Sequence, residues 1–69
     1  MVGAEHRRVV AALRGLAERQ REALVLKYYL DLSEVEIAAA MGVSTGTVKT
    51  HVHRGLAALA ATLGVEEDR

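Results

Sequence analysis

Sixty-nine residues with no cysteine, proline, phenylalanine or tryptophan, and nine Lys plus Arg against nine Asp plus Glu, make one small domain with neither a disulfide framework nor a thiolate zinc site. A chain of this size buries only about 60% of the surface its unfolded form exposes, which leaves a small core and argues against a large catalytic cleft or an enzyme. No apolar run approaches the roughly 20 residues that span a bilayer, and Met1 to Arg8 lacks the apolar centre of a signal peptide, so the sequence reads as a cytoplasmic chain with no membrane partner.

Twelve Ala, nine Leu and nine Val, with no Asn and only Asp31 and Asp68, predict an all-α bundle of four helices and not a sheet rich in turns. The first helix is expected over about 5–16, where Val9, Ala12, Leu13 and Leu16 form one apolar stripe and Arg7, Arg8 and Arg14 lie outside it. The second is expected over about 18–30. It begins polar and then turns apolar nearly all round from Ala23 to Leu30, which suggests a central strut, with Tyr28 and Tyr29 packed in or at the edge of the core. Ser33-Glu34-Val35-Glu36 is a capping box that starts a third helix over about 33–41, with Ile37, Ala38 and Met41 inward. Gly42 closes it, and Ser44 caps a fourth helix over about 45–63 with Val48, Val52, Gly55, Leu56, Leu59 and Leu63 as its stripe. A short capped helix, a Gly-hydrophobic-Ser turn and a longer helix make a C-terminal helix-turn-helix.

Zero net charge conceals an asymmetry. From Ile37 to Val65 there is no acid, while that stretch carries Lys49, His51, His53 and Arg54; the acids gather at Glu34 and Glu36 and in Glu66-Glu67-Asp68. At about 100° per residue, the face opposite the apolar stripe presents Gly46, Thr50, His53, Arg54 and Ala57, with Thr47, Lys49 and His51 on the flanks. Such a face suits a major groove: Arg54 can pair with guanine, small side chains allow close approach, and Lys49 and His51 can meet phosphates. Ser44 and Thr47 start the helix without an acidic cap, so its free amides point toward an anion. A metal reading fails on spacing, because His51 and His53 are two apart and diverge on a helix, and His6 is remote; no metal, cofactor or nucleophile-base-acid set is expected.

The run from Leu16 to Glu34, with its Arg19-Gln20-Arg21-Glu22-Ala23-Leu24 and Tyr28-Tyr29-Leu30-Asp31-Leu32-Ser33 segments, is followed by Glu36-Ile37-Ala38, Met41-Gly42-Val43-Ser44, Gly46-Thr47-Val48-Lys49 and Arg54-Gly55-Leu56. Together these resemble region 4 of the extracytoplasmic-function sigma factors, most like those of actinobacteria, from about Val9 to Leu63. The family's fold is a helix-turn-helix of the winged-helix-like DNA-binding superfamily. The resemblance implies binding to the minus-35 promoter element as duplex DNA and docking on the beta flap of RNA polymerase. By position it assigns Lys49, Thr50, His53 and Arg54 to DNA and His51 to its backbone, within a DNA-binding set of Ser44, Thr45, Gly46, Thr47, Lys49, Thr50, His51, His53 and Arg54. The start of the second helix and the apolar surface around it would serve polymerase or an anti-sigma factor. Two positions depart from the pattern: Ala17 replaces a common Pro, which blurs the break between the first two helices, and Thr45 replaces a common charged residue. No promoter-melting region 2 is present, so the chain reads as an excised domain or a stand-alone relative, monomeric in isolation. The alternatives are a LuxR-type effector domain, which would dimerise through its last helix, and a helical module that binds protein only.

Overall fold

In the computed structural model, residues 3–64 are described; Met1, Val2 and the segment that holds the acidic Glu66-Glu67-Asp68 lie outside them. The described residues form four α-helices and no strand: α1 (Ala4–Arg14), α2 (Glu18–Leu24), α3 (Glu34–Met41) and α4 (Thr45–Leu63), with a π-helical turn over Val25–Tyr29 prolonging α2. The all-helical bundle expected from composition is therefore the fold observed.

Local chemistry sets the boundaries. Gly15 and Leu16 fall in a turn after α1, but Leu16 still reaches the core. Ala17, expected to blur the junction, instead marks a clean one: at φ −57° and ψ 144° it is extended, and its carbonyl accepts from the Arg21 amide at 3.0 Å to start α2. The capping box is present in full, with Ser33 Oγ accepting from the Glu36 amide at 3.1 Å and Glu36 Oε1 accepting from the Ser33 amide at 2.8 Å. Gly42, at φ 72°, adopts the left-handed conformation that only a residue without Cβ reaches at little cost, and it turns the chain from α3 into α4.

The central core cluster is Ala23, Ile37, Ala38, Met41 and Val48, bordered by Leu26, Leu32, Val43 and Val52, and Ala12, Leu16 and Leu24 are buried beside it. Ile37 and Val48 are fully buried, each contributing about 1.5–3 kcal/mol relative to exposure, and they fix the angle between α3 and α4. A second contact lies where α2 crosses α4. There a Cβ on Gly55 would come within 2.9 Å of Leu24 Cδ1 and 3.2 Å of its Cγ, so the Leu24 side chain seats against α4 in this position because residue 55 has no side chain. α1, α2 and α3 all pack on α4, which is the central strut in place of the second helix.

The π-helical turn explains that difference. The Leu30 amide reaches the Val25 carbonyl at 3.2 Å, an i→i+5 bond that widens the helix and breaks its 3.6-residue rhythm. Side chains beyond Val25 are rotated out of the register that an unbroken helix would give them. Tyr28 (57% exposed), Tyr29 (64%) and Leu30 (60%) face outward, contrary to the packed positions expected for the tyrosines. The Lys27 ammonium sits 5.5 Å from the Tyr28 ring centre. Asp31, in the left-handed region at φ 57°, then reverses the chain and lets Leu32 return to the core.

Three arginines bind the carbonyl ends of other helices. Arg8 Nη2 donates to the Leu63 carbonyl of α4 (3.0 Å), Arg19 Nη2 to the Met41 carbonyl of α3 (2.8 Å), and Arg21 Nη1 to the Arg14 carbonyl of α1 (3.3 Å). Each meets acceptors left unpaired in a last helical turn, at the negative end of the helix dipole. Arg19 is further held by Glu22 at 2.9 Å.

Candidate nucleic-acid interface

The cap and first three turns of α4 carry every residue of the expected site. Ser44 caps the helix, its Oγ accepting from the Thr47 amide at 3.1 Å and donating to Thr47 Oγ1 at 3.0 Å. Ser44 is thus the cap expected for this helix. What remains open are the amides of Thr45 and Gly46, which a helix of this geometry leaves without an internal acceptor.

Beyond the cap, Gly46, Thr50, His53, Arg54 and Ala57 are all exposed, as the helical spacing requires, and Lys49 is exposed on the flank. Thr47 and His51 are half-buried, and Thr45 is exposed. Thr50 Oγ1 donates back to the Gly46 carbonyl at 3.2 Å, which holds the hydroxyl against the helix until another acceptor competes for it. His6 lies far along the chain on α1, beside an open hollow lined by Glu5, Arg8, Val9 and Leu63.

Two features were not readable from spacing. A Cβ on Gly46 would meet nothing closer than Ser44 Oγ at 3.8 Å, so nothing within the fold requires glycine here. A helix gives up as much as about 1 kcal/mol by having glycine and not alanine, and the open space in front of it suits close approach by something outside the chain. The second is an ion pair across the turn: Lys49 Nζ lies 3.9 Å from Glu34 Oε1. Residues fifteen apart on two helices have no periodic signal that would bring them together, and only the crossing angle does so.

α4 itself contributes no carboxylate while it presents Lys49 and Arg54. On another side, Val9, Leu13, Leu24, Val25, Tyr28, Tyr29, Leu56 and Leu59 line an apolar groove of about 180 Å³. Leu56, expected within the apolar stripe, is 42% exposed at its rim, because the bundle covers the stripe only as far as α2 and α1 reach. No described helix is long and apolar enough to cross a membrane.

Comparison with known proteins agrees with the helix-turn-helix geometry. Residues 6–59 match the family model described as Sigma-70, region 4. The chain is 49% identical over 47 residues to the RNA polymerase sigma-E factor of Streptomyces coelicolor, covering 68% of this chain and 27% of that protein. It is 46% identical over 44 residues to the extracytoplasmic-function sigma factor SigW of Bacillus subtilis, covering 64% and 24%. With the corresponding sigma factor SigK of a Mycobacterium strain it shares 34% over 61 residues, covering 88% and 32%. The chain therefore spans between about a quarter and a third of the length of these relatives.

Proposed function

This chain belongs to the sigma-70 region 4 family, and we propose from that premise that it binds the minus-35 promoter element as duplex DNA while docked on RNA polymerase. One observation carries the reading. The outward face of α4 offers Gly46, Thr50, His53 and Arg54 with Lys49 at its side and no acid along the helix, a surface a major groove can accept.

In this reading Arg54 donates two hydrogen bonds to one guanine, and Thr50 and His53 contact neighbouring positions. Lys49 and His51 meet backbone phosphates, as do the Thr45 and Gly46 amides at the start of the helix, which Ser44 and Thr47 hold in place. The exposed apolar surface around the second helix, from Tyr28 to Leu30 with Leu56, takes the beta flap of polymerase or an anti-sigma factor. With few free cations and a single reading helix, the domain alone is a monomer that binds duplex weakly, and polymerase supplies the remaining affinity by tethering it beside its site.

The test separates reading from anchoring. Arg54→Ala should weaken binding by roughly 1–3 kcal/mol and relax preference at one base pair. Lys49→Ala should weaken every sequence alike and lower the slope of log affinity against log salt by about one unit. Both variants remove one positive charge; equal losses on all sequences with equal slopes would remove the proposed docking.

A further inference from the structure

Glu34 opens α3, and its carboxylate lies 3.9 Å from the Lys49 ammonium, with both side chains partly in solvent. A glutamate in a first helical turn needs only the helix dipole to account for it, and a pair this exposed adds little to folding stability. Its position is what matters. Among the described residues it is the one ion pair that α4 makes, and it occupies the flank from which Lys49 would reach a phosphate. Glu36 cannot take this role, since its Oε1 is held by the Ser33 amide in the capping box. The Glu34 carboxylate makes no hydrogen bond to another described residue, so it is free to follow the ammonium.

A carboxylate oxygen and a phosphate oxygen are anionic acceptors of the same kind, and one ammonium on a flexible stem serves them in competition. Resting on the DNA reading above, we infer that Glu34 is an internal competitor for Lys49. In the free domain the carboxylate holds the ammonium, and a DNA backbone must draw it away while tolerating a negative charge close by. Glu34 thereby sets how tightly the domain holds any duplex, without altering which bases it prefers. For charges about 6 Å apart at the water-exposed limit, repulsion alone corresponds to roughly a threefold loss, and the attraction for the ammonium that a phosphate must overcome raises it toward tenfold.

The experiment measures binding of the whole chain to a preferred duplex and to a random-sequence duplex at low salt, by fluorescence anisotropy. The proteins are the wild type, Glu34→Gln, Lys49→Ala and the double variant. Glu5→Gln serves as a control that makes the same change in net charge on α1. Glu34→Gln should tighten both duplexes roughly tenfold at an unchanged ratio between them. In the Lys49→Ala background the same substitution should gain at most half as much on a logarithmic scale, because there is no ammonium to release. Glu5→Gln should leave affinity nearly unchanged. An equal gain in both backgrounds, or from Glu5→Gln, would reduce the effect to net charge and overturn the inference. Wild-type binding with no gain from Glu34→Gln overturns it while the DNA reading stands; no duplex binding by any variant removes both.

Discussion

The crossing of α2 over α4 allows a prediction in which one substitution changes sign with its neighbour. Leu24 is buried, and its Cδ1 and Cγ would lie 2.9 and 3.2 Å from a Cβ on Gly55. Replacing Gly55 by Ala improves helix propensity by about 1 kcal/mol but forces Leu24 off its packed rotamer, at about 1–3 kcal/mol. The net expectation is a loss of up to about 2 kcal/mol. Leu24→Ala alone costs about 2–5 kcal/mol, against a total stability of roughly 3–10 kcal/mol for a domain of this length. In that background the clashing atoms are gone, and the nearest remaining neighbour, Gln20 Cβ at 3.5 Å, is at ordinary contact distance. Gly55→Ala should there stabilise by about 1 kcal/mol and fill part of the cavity, giving a coupling energy of about 1–3 kcal/mol. Urea denaturation followed by circular dichroism at 222 nm measures all four proteins, with trimethylamine N-oxide added throughout if Leu24→Ala unfolds in buffer. If Gly55→Ala shifts stability by the same amount and sign in both backgrounds, the close approach of the two helices is refuted.

Gly46→Ala should raise the thermal midpoint, with up to about 1 kcal/mol of added stability, while it weakens duplex binding; a gain in both, measured by calorimetry and anisotropy, would show that nothing approaches residue 46 closely. Ala17→Pro should stabilise by about 0.4–1 kcal/mol in urea melts, because φ is already −57° and the Ala17 amide donates to no backbone carbonyl among the described residues. Arg19→Ala should cost about 1 kcal/mol by stripping the Met41 carbonyl of its donor, and Arg19→Lys should restore less than half, since a single ammonium cannot span both Met41 and Glu22 as a forked guanidinium does.

How far the sequence reveals this molecule depends on the range of the signal. Ser33 and Glu36 are three residues apart and Gly42 and Ser44 two, so the caps and the turn were readable directly, and with them the orientation of α4. The exposed row of Gly46, Thr50, His53 and Arg54 followed from that orientation because α4 is regular. Tyr28, Tyr29 and Leu30 were misplaced because their expected burial rested on an apolar run alone, which gives no sign of the π-helical turn and does not tell whether a neighbour covers every side. Gly55 was recognised as part of an apolar stripe, yet its role as a contact point depends on Leu24, thirty-one positions away. The Glu34–Lys49 pair was hidden for the same reason, as each residue is unremarkable on its own helix.

The contact between Arg8 and the Leu63 carbonyl has a consequence for architecture. It sets the first half of α1 against the far tip of α4, and a helical rise of about 1.5 Å per residue places that tip roughly 20 Å along the axis from Thr50. The described chain therefore enters α1 and ends α4 on the same side of the domain, remote from the pole that carries Gly46 and Lys49. A unit arranged this way can be spliced into a larger protein at a single point, or have its ends joined and be reopened elsewhere.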